Sequence, residues 1–220
     1  ISPNMATMIC VITTDATVSS MTLQDSLRKA VQLSFNRICV DNDMSTNDTV
    51  LLLANGASAA PELQPGSPGL KAFEEALTAV CTELAHAIVR DGEGATKFVE
   101  VVVTGARTDA EAMLAARSVA QSQLCKTAFY GQDPNWGRIA AAVGYSGAEC
   151  DPTKLSVCLD DLPVMVDGMR ADYEESDAAA IMKKDSFRIQ VSLGAGTGQA
   201  VFWTSDLSAE YVRINADYRS

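Results

Sequence analysis

Short apolar runs rich in β-branched residues alternate along this chain with longer stretches of helical periodicity. The runs at residues 8–14 (MICVITT), 49–56 (TVLLLANG) and 98–104 (FVEVVVT) are typical of largely buried strands. Strands and helices are mixed without a strict βαβ rhythm. We therefore expect an α/β protein of layered sheets covered by helices, and not a doubly wound parallel sheet.

The helices have recognisable first turns. Thr22 with Asp25 and Thr108 with Glu111 match the capping-box pattern, and Ser67 followed by Pro68 predicts another helix start. In the helix after Pro68 one apolar face is predicted, and His86 falls nearly opposite to it, toward solvent. The residues of that face are Leu70, Phe73, Leu77, Val80, Leu84 and Ile88.

Near the C-terminus, two strand-like runs flank a glycine-rich segment. FRIQVSL (187–193) and AVFWTS (200–205) are separated by GAGTGQ, which predicts a β-hairpin. A phosphate-binding glycine loop is disfavoured because a strand, and not a helix, follows the glycines.

Charge and composition exclude several classes of function. Seventeen basic against 28 acidic residues give a net charge of −11, which disfavours nucleic acid and anionic membranes as partners. Six cysteines without a CxxC pair, and a single histidine, argue against a structural zinc site. We expect reduced thiols in a cytoplasmic compartment, or the mitochondrial matrix in a eukaryote. Because the chain begins with Ile1 and not Met, we also expect a longer precursor.

The scarcity of histidine also disfavours catalytic triads that need an imidazole. A different kind of nucleophile supplies its own base, namely a Thr or Ser at a chain N-terminus, whose amine titrates near about 7.7 to 8.0. Thr7, in Met5-Ala6-Thr7-Met8, stands before a buried strand, and an acyl shift there would cut the Ala6–Thr7 bond. An ordinary strand start explains the same spacing, so the residues alone leave both interpretations open.

Six sequence blocks together resemble the ornithine acetyltransferase family, also called glutamate N-acetyltransferase. They occur in family order from the first residue to the last, and their combination is far more specific than any single block. The blocks are ISPNMATM at 1–8, ITTDA at 12–16, STNDT at 45–49, DGEGATKF at 91–98, DPNWGRI at 133–139 and the terminal YVRINADYRS.

The resemblance implies both a fold and a site. The fold would be a layered αββα sandwich with an N-terminal nucleophile and a second, smaller α/β part, and the precursor would cut itself between Ala6 and Thr7. Thr7 would be the catalytic nucleophile and would also contact substrate, together with Glu93, Asn215 and Ser220. Ser220 stands where many relatives have threonine. Without the resemblance, Glu93 is a solvated loop acid.

The resemblance further implies a division of the chain and an activity. Residues 1–6 would end the α segment, residues 7–105 would form the sandwich part, and residues 106–220 would form a second part whose tail returns to the active site. The family transfers acetyl from N-acetylornithine to glutamate through an acetyl-threonine, and its α and β chains form an α2β2 heterotetramer. No cofactor is expected, although bifunctional members also accept acetyl-CoA as donor.

Three alternatives remain at this level. The first is an N-terminal-nucleophile aminopeptidase or amidase, in which water resolves the ester. The second is a catalytically silent subunit that supports a partner. The third is a related acetyltransferase of specialised amino-acid metabolism.

Overall fold

The computed structural model describes residues 8–217, and these divide into two compact units. The first unit consists of the described residues up to Ile38 together with Asp43–Ile88. The second consists of Cys39–Asn42 and the described chain from Val89 onward. The predicted boundary between residues 105 and 106 differs from this division, because it falls at the end of a strand inside the sheet of the second unit. Within residues 8–217, no helix combines the length and apolar character needed to span a membrane.

Helices and strands follow one another closely along the chain. Up to residue 90 they are β1 (Ile9–Thr14), α1 (Ser20–Leu33), a 3-10 turn (Phe35–Arg37), β2 (Ile38–Cys39), β3 (Thr49–Ala54) and α2 (Pro68–Arg90). They continue with β4 (Phe98–Ala106), α3 (Asp109–Gln121), α4 (Gln123–Tyr130), α5 (Trp136–Gly144), β5 (Ser156–Leu159) and β6 (Leu162–Val166). The last are β7 (Met169–Arg170), α6 (Glu175–Met182), β8 (Ser186–Ser192), β9 (Gly198–Ser205) and α7 (Ala209–Asp217).

The first unit contains a parallel pair of strands, β1 and β3, and the helix α1. The two strands pair from Ile9 opposite Thr49 onward. One side of α1 bears the small buried residues Ser26 and Ala30, and Ser26 donates a hydrogen bond to Glu74 of α2 at 3.1 Å. Leu27 and Val31 of α1 lie on another side, where they line a groove together with Met8 and with Thr49 and Val50 of β3. Thus α1 contacts α2 through small residues and faces β3 with larger ones.

The second unit is built on a mixed seven-stranded sheet in the order β2-β9-β4-β8-β5-β6-β7. On β4, Val99, Val101 and Val103 are fully buried, and Glu100 and Val102 alternate with them on the opposite face. Helix α3 packs against β4 and β9 through a face of alanine and valine, which allows a close approach between helix and sheet. This core contains most of the fully buried residues in the range 8–217.

The predicted hairpin at residues 187–205 is wrong. Strand β4 lies between β8 and β9, pairing in parallel with β8 and antiparallel with β9. The glycine-rich loop therefore crosses the end of β4, and the amides of Ala195 and Gly196 both donate to the carbonyl of Gly105. A Cβ on Gly196 would lie 2.6 Å from the carbonyl oxygen of Ala106, so the glycine permits this close crossing.

The predicted apolar face of α2 is correct only in part. Leu70 and Leu77 are buried as expected, but Val80 and Leu84 are exposed. The buried line continues instead through smaller residues, including Cys81 and Ala85. The prediction that His86 lies in solvent is also wrong, since this residue is half-buried. The six cysteines form no disulfide, as predicted.

Candidate active site

Glu93 and Asn215, which the resemblance assigns to substrate binding, are in hydrogen-bond contact. Nδ2 of Asn215 donates to Oε2 of Glu93 at 2.9 Å and to the backbone carbonyl of Tyr211, also at 2.9 Å. Glu93 lies in the turn after α2, whereas Asn215 lies in α7, 122 residues later. Both are half-buried. The fold therefore brings together two residues that are far apart in the sequence.

The other predicted site residues are not part of the described structure. Ala6 and Thr7, the predicted cleavage site and nucleophile, and Ser220, the predicted terminal contact, all lie outside residues 8–217. Their roles stay predictions.

Gly94 allows the Glu93 turn to lie directly against the start of α7. It has φ of +66°, and a Cβ there would lie 2.6 Å from the backbone nitrogen of Tyr211. Ser208 joins the two segments, because its hydroxyl donates to the carbonyl of Gly94 at 2.6 Å and accepts from the amide of Tyr211 at 3.1 Å. A side chain at position 94 would force the turn and the helix apart.

Asp206 fixes the segment that follows the turn. Its carboxylate accepts hydrogen bonds from the amide of Thr96 (2.8 Å), the hydroxyl of Thr96 (2.6 Å) and the amide of Lys97 (2.9 Å). Asp206 is only 4% exposed, so these bonds replace the water that its charge has lost. The carboxylate links residues 96–97 to the segment between β9 and α7.

Lys126 of α4 lies beneath the same segment and is 1% exposed. Its ammonium donates to the hydroxyl of Thr204 at 2.9 Å and to the backbone carbonyl and hydroxyl of Ser205. Burial lowers the pKa of Lys126 to about 8, and the negative charge of Asp206 partly opposes this effect. Lys126 thus binds the last two residues of β9, and Asp206, the residue that follows them, binds residues 96–97.

The short segment at 39–42 completes this region of the second unit. The hydroxyl of Tyr211 donates to Oδ2 of Asp41 at 3.1 Å, and the thiol of Cys39 donates to Oδ1 of Asn42 at 2.9 Å. Burial raises the pKa of the Cys39 thiol. Since Tyr211 and Asn215 are four residues apart in α7, they share one face of the helix. That face carries a phenol, an amide and two contacting carboxylates, a set that suits a ligand with an ammonium group.

Sequence reasoning missed Lys126 and Asp206. Lys126 follows Leu124 and Cys125 in a mostly apolar helix, and a lysine in such a place was the available signal. Asp206 had no comparable signal, because its partners are 109 and 110 residues away. Among the described residues, no group of three His, Cys, Asp or Glu side chains could hold a metal ion.

Comparison with known proteins gives consistent matches over the whole chain. The model of the ArgJ family matches residues 1–220. The arginine biosynthesis bifunctional protein ArgJ of Geobacter sulfurreducens is 51% identical over 221 residues, which cover 100% of this chain and 56% of that protein. The mitochondrial ArgJ protein of Schizosaccharomyces japonicus is 47% identical over 226 residues, covering 100% of this chain and 52% of that protein.

A solved structure matches as well. The crystal structure of the arginine biosynthesis bifunctional protein ArgJ from Bacillus halodurans superposes with a TM-score of 0.93 at 42% identity, covering 96% of this chain and 100% of that one. This match confirms the predicted fold class. The chain spans about half the length of the curated relatives that it matches.

Proposed function

The chain belongs to the ArgJ family, and on that premise we propose that it is the β half of an acetyltransferase. The enzyme moves the acetyl group of N2-acetylornithine to glutamate, a step of arginine biosynthesis. The observation that carries the proposal is the 2.9 Å contact between Glu93 and Asn215. Two residues that the resemblance assigns to one substrate meet in the fold, although 122 positions separate them in the chain.

The reaction takes two steps. After the Ala6–Thr7 bond is cut, Oγ of Thr7 attacks the acetamide carbonyl of N2-acetylornithine, its own amine takes the hydroxyl proton, and ornithine leaves. The amine of glutamate then attacks the acetyl ester and restores the threonine. Because the two substrates react in turn with one nucleophile, ping-pong kinetics are expected.

Glu93 and Asn215 bind the substrates. In N2-acetylornithine the α-amine carries the acetyl group, so the free cation is the δ-ammonium, and the carboxylate of Glu93 is its proposed partner. Asn215 donates both amide hydrogens, to Glu93 and to the Tyr211 carbonyl, so it acts on the substrate by fixing Glu93, and Ser220 offers a hydroxyl to the substrate carboxylate. Replacing Glu93 by Gln removes the charge but keeps the shape, so we expect KM for N2-acetylornithine to rise by about tenfold.

The remaining half of the protein is the proposed partner. Parallel strands are normally covered on both faces, yet Ile9, Val11, Leu51 and Leu53 of the β1–β3 pair are exposed. This exposed apolar face is an argument that a segment of the α half covers these strands or adds a further strand beside them. We propose an α2β2 heterotetramer, which mass measurement of the intact complex would test.

Donor choice and compartment form a further part of the proposal. We propose that no cofactor is needed and that acetyl-CoA acts as an additional acetyl donor, which the word bifunctional in the relatives' names supports. Transfer of labelled acetyl from acetyl-CoA to glutamate is the test. For a bacterial source we propose the cytoplasm. For a eukaryotic source we propose the mitochondrion, as two fungal relatives are named mitochondrial.

Intact-mass analysis of the full-length protein tests the central proposal. The wild type should yield a fragment that begins at Thr7 and gains about 42 Da, one acetyl group, when N2-acetylornithine is added. Thr7→Ala should remain uncut and inactive, and Thr7→Ser, which retains a hydroxyl, is the matched control. A processed and active Thr7→Ala variant would overturn the proposal. Release of free acetate at the same rate without glutamate would instead indicate a hydrolase.

A further inference from the structure

Helix α7 carries Asn215 and is held in the second unit without a buried apolar face. None of its nine described residues, Ala209–Asp217, is buried. A helix of this length is marginal by itself, and helices in proteins gain most of their stability by packing an apolar face. The position of α7 therefore depends more on individual polar contacts than on a hydrophobic core.

One of these contacts joins α7 to the segment 39–42. The hydroxyl of Tyr211 donates to Oδ2 of Asp41 at 3.1 Å, although the two residues are 170 positions apart. The acceptor is a carboxylate, and hydrogen bonds to a charged acceptor are roughly twice as strong as those between neutral groups. Asp41 has no role in the reaction as described above.

The segment that carries Asp41 is itself fixed on both sides. Before it, Cys39 is fully buried in β2 and Val40 is 5% exposed. After it, the side chain of Asn42 donates to the backbone carbonyl of Gln121 at 3.0 Å. Asp41 is therefore a firm anchor, and α7 is the element that this anchor holds.

The same segment also touches the turn that carries Glu93. A Cβ on Gly92 would lie 3.0 Å from Cγ1 of Val40, so the backbone of the turn lies against the Val40 side chain. The segment 39–42 thus contacts both parts of the candidate site, the turn through Val40 and α7 through Asp41.

We propose that Asp41 is a positioning residue for substrate binding, which holds α7 through the Tyr211 hydroxyl so that Asn215 meets Glu93. The inference rests on the proposed function, because that function assigns Glu93 to the δ-ammonium of N2-acetylornithine. Tyr211 and Asn215 are four residues apart and share one face of α7, so releasing the helix at Tyr211 displaces Asn215 as well. Asp41 acts on the substrate only through these residues.

The two substrates should respond differently to the loss of this contact. The side chain of N2-acetylornithine carries a cation, whereas the side chain of glutamate carries an anion. Only the cation needs a well-placed Glu93 carboxylate. In ping-pong kinetics, kcat/KM for each substrate reports on its own half-reaction. A displaced α7 should therefore impair N2-acetylornithine selectively, whereas general damage to the fold would impair both substrates.

Asp41 also places a negative charge near the buried Lys126. Burial lowers the pKa of Lys126 to about 8, and the charge of Asp41 is one of those that oppose this effect. Removing the Asp41 side chain therefore removes both a hydrogen-bond acceptor and a charge. An asparagine separates the two, because its amide oxygen accepts a hydrogen bond without carrying a charge.

The test compares Asp41→Ala, Tyr211→Phe, their double variant and Asp41→Asn in the full-length protein. Each of the first two should lower kcat/KM for N2-acetylornithine about fivefold through KM, while kcat, and kcat/KM for glutamate, stay within about twofold of wild type. The double variant should also lose about fivefold and not the product of about 25-fold, because both changes remove the same bond. Asp41→Asn should recover most of the loss.

Two matched controls and a second measurement accompany these variants. Tyr130→Phe and Asp172→Ala change an exposed tyrosine and an exposed aspartate of the same unit and should leave every constant unchanged. Hydrogen exchange reports on the helix without any catalysis. The amides of α7 should exchange about fivefold faster in Asp41→Ala and Tyr211→Phe, and those of β4 should be unaffected.

The contrary results are distinct. Multiplied losses in the double variant, equal losses for both substrates, or unchanged exchange in α7 would overturn the positioning role. An Asp41→Asn variant as impaired as Asp41→Ala would overturn it too, because the site would then need the charge of Asp41 and not its hydrogen bond. If the wild type transfers no acetyl group from N2-acetylornithine, the proposed function itself fails, an outcome that the wild-type assay reveals before any variant is compared.

Discussion

The strands β1 and β4 have similar sequences and very different surroundings. MICVITT and FVEVVVT are both short, β-branched and apolar, yet Val99, Val101 and Val103 of β4 are fully buried, whereas Ile9 of β1 is 69% exposed. β4 has β8 and β9 on its two sides and α3 above it. Among the described strands, β1 pairs with β3 alone. Local sequence therefore predicts that a strand forms, and the rest of the protein decides how far it is buried.

The buried polar groups show the same contrast. In the second unit, Lys126 and Asp206 find their partners within that unit. In the first unit, Oδ2 of Asp48 is buried and has no hydrogen-bond donor among the described residues. Within residues 8–217, the buried side-chain nitrogen and oxygen atoms of the second unit have hydrogen-bond partners, whereas the first unit contains the unpartnered Oδ2 of Asp48 and an exposed apolar strand face.

Replacing Asp206 by Ala should have the largest effect on stability, because it removes the carboxylate that links the segment after β9 to residues 96–97 in the second unit. Three donors, on Thr96 and Lys97, would lose a charged acceptor, and we expect a loss of about 3 kcal/mol or more in the free energy of unfolding. Both tryptophans, Trp136 and Trp203, lie in the second unit, so urea unfolding followed by their fluorescence reports on it directly. The exposed Asp161→Ala should change stability by less than about 0.5 kcal/mol. A loss below about 1 kcal/mol in the free energy of unfolding for Asp206→Ala would contradict the idea that the second unit depends on its own buried polar contacts.

Gly94→Ala should have the next largest effect. The positive φ and the 2.6 Å approach of a Cβ to the Tyr211 nitrogen predict a loss of about 2 kcal/mol and a raised KM for N2-acetylornithine. The control is Gly144→Ala, since a Cβ there meets nothing within 4 Å. Equal effects of the two substitutions on KM would mean that the close packing of the turn on α7 does not position Glu93.

Lys126→Met tests whether the buried ammonium supports the site or only the fold. The carbonyl and hydroxyl of Ser205 would lose their donor, so we expect a loss of about 2 kcal/mol and a severalfold rise in KM. Lys97 is a matched control, because it is also buried and donates to the carbonyls of Lys183 and Lys184. Lys97→Met should cost similar stability at unchanged KM, and a KM change of the same size would assign both lysines to the fold alone.

The sequence predicts the local features of this fold well. Thr108 caps α3 as expected, its hydroxyl accepting from the amide of Glu111. The predicted start of α1 is three residues too late, because Ser19 and not Thr22 caps the helix. Both outcomes depend on interactions between residues three positions apart, which the sequence displays directly.

Features that depend on contacts between distant residues could not be predicted from the local sequence pattern. The hairpin prediction failed because β4, encoded some 80 positions earlier, inserts between β8 and β9. The pairing of Glu93 with Asn215 was anticipated only through the family resemblance, since no spacing rule connects positions so far apart. The face of α2 was misassigned only after Leu77, where the buried line continues through the smaller Cys81 and Ala85 and not through Val80 and Leu84.

Leu53→Ser should have the smallest effect in the chain of residues 1–220, and it tests the first unit directly. Leu53 lies on the outer face of β3 and is 54% exposed, so the substitution should change stability by less than about 0.5 kcal/mol when the chain is produced alone. If the α half covers this face, the same substitution should cost about 1 to 2 kcal/mol in the whole protein, because the leucine is then buried. Val101→Ala in the buried strand β4 is the control, and its cost should be the same in both forms. Hydrogen exchange of β1 and β3 gives a second measure, with slower exchange expected in the whole protein. Equal costs of Leu53→Ser in the two forms would mean that this face stays in water in the whole protein. The exposure of β1 and β3 would then be a property of the chain itself, and the α half would not account for the difference from β4.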